Sequence, residues 1–323
     1  MRTRTKSVLS RRVVIRGISA LASCAVLAPD RRARALQLAP KTLSQQILYS
    51  TTRIVATEGK YNSSGTGFFF APPTSETQVV PLLVTNQHVV RGTTGVTLSL
   101  HTKDNDSSMP GSSRSFTINA ALGSGWIPHP SADLCALPIR LLLGDEYEQL
   151  FLRPIGLDLV ASNRQLADFD AVEDVLMVGY PVSFWDEVNN LPVVRKGITA
   201  SDPAVDFDGK PETILDISVY PGSSGSPVFV FDKGGYVDKD GFHPKGLRSF
   251  LIGIISEWQY VTPRGTVILQ EAQTTLKGQF QVQLGINIAR MIKARELLGL
   301  RDTVFSQLGL PTYDGPIYSS VSF

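Results

Sequence analysis

Three short segments hold residue types that could do chemistry together. The first is Pro221-Gly222-Ser223-Ser224-Gly225-Ser226-Pro227-Val228, a run of small residues between two strand-like stretches. Small residues let a carbonyl group approach the backbone closely, and glycine permits dihedrals that turn successive N–H groups toward one point. Such a turn can present the amides of Gly222 and Ser224 as an oxyanion hole, with the Ser224 hydroxyl beside it as nucleophile. It also reads as an ordinary Gly/Ser hairpin loop. A serine hydroxyl needs a base to take its proton, and the chain has 4 histidines, His88, His101, His129 and His243. His88 closes the apolar run Leu83-Val84-Thr85-Asn86-Gln87-His88, where a positioned imidazole fits. His101 alternates with Leu98 and Leu100 in a predicted strand, while His129 and His243 each precede a proline in loops. No pair among them has zinc-ligand spacing, so neither a metal nor a cofactor is expected. An imidazole base needs an acceptor for its second N–H. Asp133, in Ser131-Ala132-Asp133-Leu134-Cys135-Ala136-Leu137, is a lone carboxylate entering an apolar strand, where an acid is costly unless paired. It reads equally as a strand-start aspartate at the surface.

The elements that must position these residues are mostly strands. Gln46 to about Leu100 divides into ILYSTTRIVATE, GTGFFFAPP, PLLVTNQHVV and VTLSLHT, each bounded by Gly, Pro, Asn or Ser. KDNDSSMPGSSRS is a loop by composition, followed by the strand-like FTINAAL and DLCALPI. Residues 150–167 show no clean periodicity, which places an interdomain connection there. The second half resumes with DVLMVGYP, VRKGITAS, TILDISV, SPVFVFD, FLIGIISEW, TVILQ and QVQLGI. Ile288, Met291, Ile292, Ala294, Leu297 and Leu298 approximate one helical face, with Gly299 placed to end that helix. These readings predict an all-β chain with a leader at 1–35, a first unit at 36–160, a second at 161–300 that includes a C-terminal helix, and a tail at 301–323.

Charge narrows the partners. Nine of the 31 basic residues and one of the 29 acidic residues fall in the first 35, so the remainder carries a formal charge of about −6. No phosphate-binding stripe stands out, and nucleic acid is not expected as a partner. The first 35 residues combine a basic region, the apolar run Gly17 to Ala28 and the small-x-small pattern Ala33-Arg34-Ala35, the layout of an export signal. Ser10-Arg11-Arg12-Val13-Val14-Ile15-Arg16 resembles a twin-arginine motif, which makes a periplasmic or secreted location the expectation. An organellar transit peptide, a lipoprotein box at Leu21-Ala22-Ser23-Cys24 and an unprocessed cytoplasmic tail are the alternatives. The apolar run is too short for a stable membrane span. Cleavage after Ala35 would leave only Cys135, so a processed chain forms no internal disulfide and stands on its core.

The TNQHVV, DLCAL and GSSGSPV segments resemble the His, Asp and Ser motifs of the trypsin-like serine peptidases, especially the disulfide-poor bacterial branch of glutamyl endopeptidases and HtrA-type proteases. His88, Asp133 and Ser224 follow in that family's order at separations of 45 and 91 residues. Gly65-Thr66-Gly67-Phe68, Val178-Gly179-Tyr180-Pro181 and Gly253-Ile254-Ile255-Ser256 look like further parts of the same template, and the resemblance covers roughly 47–295. It implies two antiparallel Greek-key β-barrels with a C-terminal helix. It also implies a serine endopeptidase acting on peptide or protein substrates through a His88–Asp133–Ser224 triad, with Ser256 on the strand that pairs with substrate. The rival expectation is a catalytically latent, protease-like peptide-binding module. Two departures stand out. Ser223 occupies the place where relatives carry Asp or Asn, which implies no zymogen switch driven by a new N-terminus. Glu257-Trp258 follows Ser256 where many relatives have an aromatic residue and glycine. By the same resemblance Ser218 lies at the floor of the primary pocket. Its neutrality, and the lack of a histidine in Leu251 to Ile255, leave a small or apolar side chain as the expected preference.

Overall fold

The computed structural model describes residues 39–315 apart from 59–60, 105–108, 182–183, 239, 262–263, 272–273 and 282–283, together with Ala25 and Val26. The expected export leader, apart from those two residues, and the last eight residues of the expected tail lie outside the described part.

The first half is built on a sheet. In chain order its elements are β1 (Ala25–Val26), helix α1 (Leu43–Gln46), β2 (Thr51–Glu58), β3 (Tyr61–Ala71), β4 (Leu82–Thr85), α2 (Gln87–Val90), β5 (Gly95–Lys103), β6 (Pro110–Ile118), β7 (Ile127–Pro128), β8 (Cys135–Leu137) and α3 (Ile139–Leu143). The strands pair in the order β1-β6-β5-β2-β3-β4-β8-β7, and β9 (Ile155–Gly156) runs parallel to β3. Among the described residues the end strands are not paired, so this expected barrel is an open sheet. It still wraps one core, because Phe116 and Ile118 of β6 share a cluster with Cys135 and Leu137 of β8. The unbroken runs Phe68-Phe69-Phe70 and Leu82-Leu83-Val84 follow from burial on both faces. Phe68, Phe70, Leu82 and Val84 face the second half, while Phe69 and Leu83 face the first core.

The segment expected to connect the halves holds β9 and α4 (Asn163–Asp168), the latter opened by a Ser162–Gln165 capping box. Beyond it, β10 (Asp174–Gly179), β11 (Val193–Thr199), β12 (Glu212–Asp216), β13 (Pro227–Asp238), β14 (Gly241–Val261) and β17 (Leu284–Lys293) close into a barrel in the order β10-β11-β12-β17-β14-β13. β15 (Arg264–Glu271) and β16 (Thr274–Gln281) form a separate two-stranded sheet. The barrel core gathers Val175, Met177, Leu215, Val228, Ile252 and Met291. Helix α5 (Glu296–Leu308) packs Leu297, Leu300, Val304 and Phe305 into the cluster between the halves.

Two local expectations are corrected. Ile288 to Ala294 does not begin the C-terminal helix: Leu284–Lys293 is a strand, the helix runs on to Leu308, and Gly299 lies inside it. The helical spacing was misleading because β17 is covered on both faces, Met291 toward the barrel core and Ile292 toward the interdomain cluster. The other correction is at Ile47 to Tyr49, expected to start a strand. A Thr42–Gln45 capping box opens a helix just before it, over Leu43–Gln46, which tightens into a 3-10 turn over Ile47–Tyr49. Among the described residues no helix is long and apolar enough to cross a membrane.

Candidate active site

The pairing of β4 with β8 brings the first two residues together. Leu83, Val84 and Thr85 lie opposite Leu137, Ala136 and Cys135, so the residues just after β4 meet those just before β8. His88, in α2, therefore faces Asp133 across 45 positions of sequence. Asp133 grips it at two points: Oδ2 lies 2.6 Å from His88 Nδ1, and Oδ1 accepts the His88 backbone amide at 3.1 Å. With Nδ1 donating to the carboxylate, Nε2 is left with a free lone pair. The Asp133 loop is held from both sides. Asn86 Nδ2 donates to the Asp133 carbonyl at 2.8 Å, and Gln87 Nε2 donates to the carbonyls of His129 and Ala132. The buried His129 accepts the amides of Ser131 and Ala132 on Nδ1, at 3.2 and 2.8 Å, while its Nε2 lies 3.6 Å from Glu296 Oε2 at the start of α5. Burial lowers the His129 pKa against the opposing pull of Glu296, as suits a ring whose Nδ1 must stay unprotonated to accept.

The Ser224 turn belongs to the barrel but is fastened by the first sheet. The Thr66 amide donates to the Ser224 carbonyl at 2.9 Å, and the Thr66 hydroxyl donates to the Gly222 carbonyl at 2.9 Å while accepting the Tyr180 amide. The Thr85 hydroxyl in turn holds the Thr66 carbonyl at 2.7 Å. Within the turn, the amides of Ser223, Gly225 and Ser226 donate to the carbonyls of Tyr220, Ile255 and Ser223. Those of Gly222 and Ser224 make no hydrogen bond among the described residues. Gly225 has φ +85°, and a Cβ there would fall 2.0 Å from the Thr66 carbonyl, so only glycine fits.

His88, Asp133, Ser224, Ser256, Glu257 and Arg91 line one cleft of about 990 Å3. The Ser224 hydroxyl donates to the Ser256 carbonyl over a long 3.5 Å, not to His88. Glu257 is exposed and sits 3.9 Å from Arg290 Nε. Ser218 stands apart from the cleft wall, its hydroxyl donating to Asn287 Oδ1 at 3.3 Å. His101 is buried on β5, as its alternation with leucines predicts. Burial lowers its pKa to about 4 despite a contact with the Asn190 carbonyl. Sequence reasoning missed the supporting roles of Thr66, Thr85 and Gln87, whose bonds join positions far apart in the chain, and of His129, which read as a plain loop histidine although its ring closes the local turn at Ser131 and Ala132.

Comparison with known families matches residues 65–237 to the trypsin-like peptidase domain. The match spans more than half of the chain, and the chain belongs to this family of proteases. A comparison with curated proteins finds no significant match. Among solved structures, it is similar to the inactive form of the Rv3671c Ser→Ala mutant from M. tuberculosis H37Rv, at 16% identity and TM-score 0.40, covering 87% of this chain and 97% of that one. The serine endoprotease from Yersinia pestis aligns at 14% identity and TM-score 0.41, covering 81% of this chain and 68% of that one. The assignment rests on the family match and not on these scores.

Proposed function

We propose that the chain is a serine endopeptidase in which His88, Asp133 and Ser224 act as a catalytic triad. The observation that carries this reading is the two-point grip of Asp133 on His88, which leaves His88 Nε2 free in the cleft that Ser224 also lines. His88 takes the proton of Ser224 as its oxygen attacks the scissile carbonyl. The oxyanion that forms is stabilised by the unspent amides of Gly222 and Ser224. His88 then gives its proton to the leaving amine while Asp133 stabilises the imidazolium, and water repeats the cycle on the acyl-enzyme. The backbone of β14 around Ser256 pairs with the extended substrate. The long Ser224–Ser256 bond is compatible with a resting enzyme, since catalytic hydrogen bonds often tighten only when substrate is bound. It also motivates the rival reading, a latent peptide-binding module.

A fluorophosphonate probe separates the two. Labelling of the full chain is expected to be lost in Ser224→Ala, with turnover falling on the order of a millionfold. A folded parent that does not label, yet binds peptides, would favour the binding module.

A further inference from the structure

The partly buried cations of the barrel are almost all matched by acids. Arg248 is held by Glu173 and Asp232, Arg290 by Glu212, and Lys293 and Arg295 by Asp206. Arg195, on β11, is the exception. Its guanidinium has no carboxylate partner among the described residues, and its Nε is buried without a hydrogen bond. It donates through Nη1 to the Ser218 carbonyl at 3.0 Å and stacks over the Tyr220 ring, 4.5 Å from the centroid. Arg195 is only partly buried, and a guanidinium held by one carbonyl and one ring keeps donors free for an anionic ligand.

The setting of Arg195 says which ligand that is. Residues 217–220 lead directly into the nucleophile turn and are tied to β17, where the Ile217 amide donates to the Asn287 carbonyl at 2.8 Å. The segment is bonded to the Ser224 turn, the Tyr220 amide donating to Ser223 Oγ at 3.3 Å and the Ser223 amide to the Tyr220 carbonyl at 2.9 Å, so a residue bound at Ser224 has it as a neighbour. The groups gathered there are the Arg195 guanidinium, the Ser218 hydroxyl and the Asn287 side-chain amide, whose Oδ1 accepts from Ser218 and whose nitrogen is left to donate. We propose that they form a carboxylate-binding subsite and that the enzyme cleaves after acidic residues. This rests on the endopeptidase reading. It replaces the expectation of a small or apolar side chain, which took account of Ser218 but not of Arg195. Glu257 does not oppose it, because that carboxylate lies against Arg290.

The test uses the full chain and a series of fluorogenic peptides differing only at the residue before the cleaved bond. Glu or Asp is expected to exceed Gln, Leu and Lys by about 100-fold in kcat/KM, the scale of one charge-assisted hydrogen bond. Arg195→Gln should bring Glu and Gln to near parity while the rate of fluorophosphonate labelling at Ser224 stays unchanged, since the probe carries no side chain for that subsite. If Arg195→Gln fails to fold, Arg195→Lys should retain a weakened acidic preference. An enzyme that labels and turns over but cleaves Gln or Leu as fast as Glu overturns the subsite alone, as does a preference unaltered in Arg195→Gln. Absence of both labelling and cleavage overturns the endopeptidase reading and the subsite with it.

Discussion

Thr66 is the residue from which the Ser224 turn hangs. Its hydroxyl serves the buried Gly222 carbonyl and the buried Tyr180 amide together, and its backbone holds Ser224. Thr66→Val keeps the shape of the side chain but strands a donor and an acceptor. A loss of about 2–4 kcal/mol in urea denaturation is expected, with slower labelling of Ser224, and Thr66→Ser should restore both. Asp133→Asn is a separate case, because the second N–H of His88 then has no anionic acceptor. Turnover is expected to drop by about 10⁴ with stability little changed. Ser224, His88 and Asp133, the residues of the proposed triad, could be singled out in sequence because each sits in a short segment of distinctive composition. Thr66 and Arg195 were not, since what matters about them is a bond across 156 positions in one case and a missing carboxylate in the other.

At the level of elements, helix α5 reaches into the site through His129. Gly299 lies inside that helix, and a Cβ there would come within 2.8 Å of His129 Nε2. Gly299→Ala gains about 1 kcal/mol of helix propensity but displaces the ring that accepts the Ser131 and Ala132 amides. The expected result is a fall in kcat exceeding any change in melting temperature. In sequence Gly299 read as a helix terminator; the actual terminator is Gly309, at φ +65°. The same distinction between pattern and environment explains β17, whose spacing suits a helix only because both faces of the strand are buried. Elsewhere in the barrel, Arg248 joins Glu173, from the segment before β10, to Asp232 of β13. Arg248→Ala leaves the buried Glu173 carboxylate unmatched and should cost about 3–5 kcal/mol in chemical denaturation.

The molecule as a whole inherits a pH dependence from His101. Folded, its pKa is about 4 because it is buried, against 6.5 for the ordinary side chain. Between those values the unfolded chain binds more protons, so stability rises with pH across that window. The contribution is complete above pH 6.5 and is lost progressively as pH falls to 4, a total of about 3 kcal/mol. His101→Phe keeps a ring beside Tyr49 and should flatten the change in urea midpoint between pH 7 and pH 4.5. The overall architecture was legible because strand-like segments and turn residues recur along the chain. The open edge of the first sheet was not, because closure depends on which strands meet and not on their composition.

The cluster between the halves draws Phe68, Phe70 and Val84 from the sheet, Val178, Phe229 and Ile254 from the barrel, and Leu297 and Phe305 from α5. The two halves meet there through apolar side chains, with the Thr66 bonds to Gly222 and Tyr180 beside them. Exchanging one half for its counterpart from another such protease would therefore mean refitting a shared interior, so the sheet and the barrel are not interchangeable modules.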